Sequence, residues 1–279
     1  MTDHRPPTTG DRQPALLIER DAHVVTLTMN RPEVKNAINM EMLCRLADAW
    51  QMIDDDPEVR CAILTGAGND FCAGADLDKL VARSMQNLPP EDEFEARIRA
   101  DFNVIFDGLL RNRQLKKPLI AAVEGYCLAG GTEILQATDI RVAGEGSTFG
   151  ITEAKWSLYP QGGSVIRLRR QIPYTKAMEM LLTADMYPAE EALSFGLIGR
   201  IVPKGQALAT ARQLAEKVAA NGPVAILKIK EAVQRTECLP EQDALALDLQ
   251  IGMQVTATED AREGPRAFKE KRVPNFKGR

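Results

Sequence analysis

Residues 118–133 read PLIAAVEGYCLAGGTE. Pro118–Val123 is a short unbroken apolar run, read as a buried strand that ends at Gly125. Apolar residues at helical spacing follow Gly130. The order is strand, small-residue junction, helix. A second segment has the same grammar. Val59–Thr65 (VRCAILT) is a strand candidate, Gly66-Ala67-Gly68-Asn69 is a turn, and Phe71–Leu77 (FCAGADL) is the junction. Small residues there let backbone N–H groups come close to a ligand. At a helix start those N–H groups are unpaired and lie at the positive end of the dipole. Two such junctions facing each other would form a two-donor anion hole. Taken singly, each is also an ordinary tight turn. Neither fits GxGxxG or GxxxxGK[ST], so a phosphate loop is not indicated.

Outward from these segments the chain alternates strand and helix. Ala15–Glu19 and His23–Met29 read as two short strands around an Arg20-Asp21 turn. Met42, Leu43, Leu46, Trp50 and Ile53 fall at helical spacing. Residues 84–95 are polar and hold Pro89-Pro90, which predicts a mobile loop, with a helical segment following to about Leu115. Asp139–Ala143 and Arg200–Val202 read as strands. Helices are expected over 174–183, 188–195, 205–221, 223–236 and 241–257. The pattern is an α/β core with a helical C-terminal region. Residues 1–14, rich in Pro, Thr and charge, read as a disordered arm. The core is placed at 15–203 and the helical region at 204–279.

The 279 residues carry 35 basic and 39 acidic side chains, a net charge of −4. That argues against general affinity for nucleic acid or an anionic membrane. No leader-type apolar region and no stretch of about 18 apolar residues is seen, so neither a signal peptide nor a spanning helix is expected. Five scattered cysteines without a CxxC pair suggest neither a disulfide framework nor a zinc knuckle, and a cytoplasmic setting is the expectation. Only His4 and His23 are present, and His4 lies in the arm. Acid–base chemistry therefore falls to carboxylates, Lys, Tyr or Cys. Glu133, three residues after Gly130, and Glu153, after Phe149-Gly150, are candidates. Each alone could be a helix-capping acid. Together, near two possible anion holes, they suggest a pair with divided acid and base roles.

The stretch from Ile120 to Asp139 resembles the signature of the crotonase superfamily, the enoyl-CoA hydratase/isomerase group. Met29-Asn30-Arg31-Pro32 with Asn36-Ala37, Phe71–Leu77, Phe149-Gly150 with Glu153 and Pro160-Gln161-Gly162-Gly163, and the C-terminal Glu263–Phe268 with Glu270-Lys271-Arg272 resemble it in the same order. The resemblance spans about residues 15–276. Phe149–Gly163 and the C-terminus are most similar to actinobacterial enoyl-CoA hydratases, some of which take bulky steroid side-chain thioesters.

This resemblance implies a crotonase fold of repeated ββα units, with a helical C-terminal region that supports a homotrimer or a hexamer made of two trimers. It implies an acyl-CoA substrate whose thioester oxygen lies between the N–H groups of Ala75 and Gly130. Glu133 would take a proton from water and Glu153 would deliver one to Cα. Val34, Lys35, Ala73, Asp76, Leu77, Phe268 and Lys271 would meet the CoA portion, the last two across a subunit boundary. No metal or resident cofactor is implied, since coenzyme A is part of the substrate. An isomerase or a carnitinyl-CoA-type dehydratase is the alternative chemistry. A non-catalytic CoA-thioester- or RNA-binding paralogue is the alternative of another class. Several departures stand out. Ala129 replaces a third glycine, Ile151-Thr152 replaces a commoner Gln-Pro, and Glu33 and Asp78 lie near positions where relatives often carry Lys, with Lys35 and Lys79 as neighbours.

Overall fold

The computed structural model describes residues 13–83 and 88–279. A main sheet and a small sheet share the strands. In the main sheet, β1 (Leu16–Asp21) and β2 (Val24–Met29) form an antiparallel hairpin. Next come β3 (Cys61–Gly66) and β4 (Leu119–Val123), then β6 (Ile140–Gly144) and β9 (Arg200–Val202), all parallel from β2 onward. The small sheet holds β5 (Tyr126–Leu128), β7 (Thr148–Gly150) and β8 (Tyr187–Pro188) in that order. The chain crosses between the sheets repeatedly. β4 leads into β5, and β6 into β7. The segment after β3 reaches the small sheet through a parallel bridge of Cys72 with Cys127. This is the repeated unit that places each strand end, and the junction after it, on one side of the molecule.

β4 is buried at every position, as a central parallel strand covered on both faces requires. One face meets α1 (Met40–Asp55), whose Leu43, Leu46, Trp50 and Ile53 join Leu27, Leu64, Leu119 and Ala121 in one core. Asn39 starts that helix, its side chain accepting the Met42 N–H at 2.9 Å. The opposite face carries Cys61, Ile63, Ile120, Ala122 and Val142. Against it lies α8 (Ala207–Ala220), with Ala207, Ala211 and Ala215 at i, i+4 spacing to allow close approach. Between β3 and β4 run α2 (Glu93–Ala100) and α3 (Asn103–Gly108). The Trp50 indole N–H donates to the Gly108 carbonyl at 3.0 Å, tying α3 to α1.

The remaining helices are α4 (Gly130–Leu135), α5 (Ser164–Gln171), α6 (Tyr174–Thr183), α7 (Ala189–Ser194), α9 (Pro223–Thr236), α10 (Glu241–Thr256) and α11 (Asp260–Glu270). Lys230 of α9 fastens the C-terminal helices to the sheet. Its ammonium lies 2.6 Å from Asp139 and donates to the Lys117 carbonyl. α9 and α10 pair with each other but leave Ile229, Val233, Leu245, Leu249 and Met253 exposed.

Several expectations need correction. The helix expected to run to Leu115 is two helices, broken at Asp101-Phe102. In the segment expected as a mobile loop, 84–87 lie outside the described residues, and residues 93–95 are already helical. Glu95 is buried and holds Arg83 and Arg99. The arm expected at 1–14 lies outside the described residues except for residues 13 and 14, and Pro14 is held, its carbonyl accepting from Asn30 at 3.0 Å. Leu182, Leu193 and Leu245, in the helical last third, stand exposed. Among the described residues no helix is long and apolar enough to cross a membrane.

Candidate active site

The two glycine-bearing junctions face each other. Ile38 and Ala75 form a parallel bridge in which the Ile38 N–H donates to Gly74 at 2.8 Å and the Asp76 N–H to Ile38 at 2.9 Å. That register turns the Ala75 N–H away from Ile38, and it finds no acceptor among the described residues. Gly130 opens α4, so its N–H has no partner within the helix. A Cβ on Gly130 would sit 3.9 Å from the Ala75 nitrogen and 3.1 Å from Ile38 Cδ1. Glycine thus keeps a narrow gap between two unpaired donors. Gly74 is needed beside it, because its φ is +102° and a Cβ there would meet Ala129 Cβ at 2.7 Å.

Ala129 itself has φ 48° and ψ −121°, a backbone region that favours glycine. It is held there by its N–H, which donates to the Gly150 carbonyl at 2.8 Å. The Ala-for-Gly departure in the sequence is therefore a strained residue at the entrance of α4.

Asp76 starts a short π-helical turn (Leu77–Ala82), accepting the Lys79 N–H at 2.9 Å. Its carboxylate also pairs with Arg31 at 2.9 Å. Burial would raise its pKa, but the Lys79 N–H and the Arg31 guanidinium outweigh burial and hold it below the usual range. Arg31 donates as well to the Ala37 carbonyl at 2.6 Å. One buried guanidinium therefore grips both sides of the Ile38–Ala75 bridge. The Asn30-Arg31-Pro32 block carries no sequence signal for this role, which depends on groups distant along the chain.

Both glutamates project into the same region. Glu133, on the first turn of α4, is buried. Its Oε2 accepts the Gly162 N–H at 2.8 Å and its Oε1 the Ser164 N–H at 3.2 Å. Burial raises its pKa, while these donors and the charge of Arg167 oppose the rise. Glu153 opens a 3-10 turn (Glu153–Trp156), and its Oε2 is buried without a hydrogen-bond partner among the described residues. Burial, and then the charge of Glu133, push its carboxyl up to about 7. The two acids sense each other but are held differently, which is the condition for dividing acid and base roles.

Of the residues implied for CoA, two segments lie side by side. The Ala73 N–H donates to the Lys35 carbonyl at 2.9 Å, and Val34 and Leu77 are exposed beside them. The Lys35 ammonium stands 4.2 Å from the centre of the Tyr126 ring. Phe268 and Lys271 are not brought to this site within the chain. No hydrogen bond or ion pair among the described residues joins α11 to 34–38 or 73–77, and Phe268 is exposed. Instead Glu263 holds Arg266, Arg272 and the Asn275 N–H. Asp260 accepts the Lys277 and Gly278 N–H groups, so the C-terminal segment folds back on α11.

Cys72 and Cys127 flank the site and are fully buried; burial pushes the Cys72 thiol up to about 12 and the Cys127 thiol higher. They fill space as thiols. Cys44 and Cys61 are buried too, and Cys238 is exposed. Trp156, at the end of the 3-10 turn that Glu153 opens, stands two-thirds exposed.

The sequence profile of the enoyl-CoA hydratase/isomerase family matches residues 19–279. The chain belongs to that family. It is 52% identical to enoyl-CoA hydratase EchA19 of Mycobacterium tuberculosis over 97% of this chain and 99% of that protein. It is 36% identical to (E)-benzylidenesuccinyl-CoA hydratase of Thauera aromatica, over 94% and 98%. A crystal structure of an enoyl-CoA hydratase from M. tuberculosis H37Rv superposes with a TM-score of 0.84 at 40% identity, covering 96% of this chain and all of that one. The family's crotonase fold is the repeated two-sheet architecture described above.

Proposed function

We propose that this enoyl-CoA hydratase adds water to a trans-2-enoyl-CoA with Glu133 as general base and Glu153 as general acid. The observation that carries this division is the unequal hold on the two carboxyls. Glu133 has two backbone donors and a nearby arginine to favour its charged form. Glu153 has an orphaned oxygen and favours its protonated form up to about pH 7.

The thioester oxygen is assigned to the gap between the Ala75 and Gly130 N–H groups. As a water oxygen bonds to Cβ, Glu133 takes its proton, and the C=C electron pair moves toward the thioester oxygen. The two donors stabilise that enolate-like charge, each worth about 2.7–4 kcal/mol by analogy with other oxyanion donors. Glu153 then gives its proton to Cα. One H and one OH are added. The product is a 3-hydroxyacyl-CoA, and run backward the same groups dehydrate it.

Val34, Lys35, Ala73, Asp76 (through its backbone) and Leu77 are assigned to the CoA portion, supported by the side-by-side path of 34–38 and 73–77. Phe268 and Lys271 are assigned to the same portion in a neighbouring copy. The exposed apolar side chains of α9 and α10 support a self-assembled homotrimer or hexamer. The reading uses no metal or resident cofactor and places the enzyme in the cytoplasm.

Loss of conjugated-thioester absorbance with crotonyl-CoA tests the reaction, and Glu133→Gln and Glu153→Gln test the pair. Migration of a 3-enoyl double bond to position 2, without water uptake, would favour an isomerase instead. Unchanged turnover in both variants would remove the catalytic assignment.

A further inference from the structure

We propose that Arg167 is a positioning residue for the general base: its guanidinium, facing the open side of Gly163 and tied to the far loop, holds the Gly162–Ser164 N–H pair on Glu133. This rests on Glu133 being the base. Gly163 lies between the two donors, at φ +114°. A Cβ built on it would be 3.6–3.7 Å from Arg167 Nη1, Cζ and Nε, so the guanidinium faces the open side of the glycine, one methyl's width away.

Arg167 is fastened at three further points. Its own N–H donates to the Gly163 carbonyl at 3.0 Å, in the first turn of α5. Its Nη2 donates to the Leu110 and Arg111 carbonyls, which follow α3. Nη1 is buried with no hydrogen-bond partner among the described residues. The guanidinium thus clamps the 162–164 turn against a separate element, in a planar geometry that an ammonium cannot copy.

The charged groups around this arrangement are few. Arg167 faces Glu133, Arg111 and Glu237. Glu133 faces Arg167 and, from the 3-10 turn, Glu153. Gln136 adds a neutral link, its amide donating to Ser164 Oγ at 2.7 Å. Arg167 therefore has two separable effects on the base. The clamp fixes the direction of two donors, and the fixed positive charge favours the ionised carboxylate.

The test is steady-state hydration of crotonyl-CoA by full-length Arg167→Gln and Arg167→Lys over roughly pH 5 to 9, the span of carboxylate-controlled rate limbs. For Arg167→Gln, kcat is expected to fall about 10- to 100-fold, as for a small misplacement of a reacting group. KM should stay within about threefold, because the interaction acts on the chemical step. The acid limb of the rate profile should move to higher pH. Arg167→Lys should keep the limb near its wild-type position while kcat still drops several-fold.

A purely structural arginine would lower the melting temperature and leave the limb in place, and that result overturns the proposal. Wild-type kcat and limb in a folded Arg167→Gln do so as well. If Arg167→Gln does not fold, Arg167→Lys decides: wild-type kcat, or a loss expressed in KM alone, overturns it. Glu133→Gln separates the two readings. Full turnover there removes the base assignment itself, whereas an inactive Glu133→Gln beside an unaffected Arg167→Gln removes only the role of Arg167.

Discussion

The Gly162 N–H donates to the Glu133 carboxylate at 2.8 Å, and that carboxylate fills the space a side chain at 162 would need. A Cβ there would lie 2.7 Å from Oε2 and 2.8 Å from Glu133 Cβ and Cδ. Gly162→Ala should therefore displace the base and, because the overlap includes the fixed Glu133 Cβ, also cost about 1–3 kcal/mol of stability. The expected result is a drop in kcat of about 100-fold that persists at temperatures where the variant is fully folded, since misplacement of about an ångström carries that kinetic cost. Kinetics and a thermal melt on the same preparation check it.

Hydration needs Glu153 protonated and Glu133 ionised. Glu153 titrates at about 7, so kcat/KM should fall as pH rises through that value. At the acid end the rate should fall as Glu133 takes up a proton, at a pH above that of an ordinary glutamate because burial raises it. A bell-shaped profile measured with crotonyl-CoA is the expected outcome. An alkaline limb that persists unchanged in Glu153→Gln would contradict it.

The same raised carboxyl affects stability. In the unfolded chain Glu153 ionises near the ordinary 4.5, but in the fold only near 7. Below the lower value both states are protonated and nothing is lost. Above 7 the fold carries the whole penalty of a buried charge, roughly 3 kcal/mol, since each pH unit separating the two values is worth about 1.36 kcal/mol. Glu153→Gln should therefore be stabilised relative to wild type at pH 8 and show little difference at pH 4. Denaturant titrations at the two pH values decide it.

Arg31 joins Asp76 to the Ala37 carbonyl behind the oxyanion donor. Arg31→Ala leaves the half-buried Asp76 without its cation, at a cost below the about 3–5 kcal/mol of a fully buried pair because two backbone N–H donors remain. It also frees both sides of the Ile38–Ala75 bridge. Lower stability together with a fall in kcat is expected, and the kcat loss should persist at temperatures where the variant is fully folded.

Ala129→Gly should release strain. Holding a residue with a Cβ in this backbone region costs about 1–3 kcal/mol, whereas the extra freedom of glycine in the unfolded chain takes back roughly 0.5–1 kcal/mol. A net gain of about 1 kcal/mol in unfolding free energy is expected. A loss would show that the Cβ packing against Gly74 outweighs the strain.

Long periodic elements were legible from the sequence. α6 and α9 fall at their expected limits, apolar spacing marking both and Pro223 the start of α9. β5 and β8 were not legible. They are three and two residues long, and so short a strand has no alternation to detect. The break between α2 and α3 at Asp101-Phe102 carries no Gly or Pro signal; the Asp101 carboxylate, accepting the Asn103 N–H at 3.0 Å, starts the second helix. At the site, Glu133 and Glu153 could be found because carboxylates near glycine junctions have few uses. Arg31 and Arg167 could not, since their work depends on carbonyls and turns far apart in sequence. The glycine pair at 162–163 was the signal: Gly162 makes room for the Glu133 carboxylate, and Gly163 supplies a φ of +114° that side chains rarely adopt.

The burial of Cys44, Cys61, Cys72 and Cys127, each with its thiol raised by burial, leaves Cys238 as the one exposed cysteine. Maleimide dyes should therefore attach at a single native position, just beyond α9. A fluorophore placed there would report on whether the α9–α10 faces come together, without an engineered cysteine.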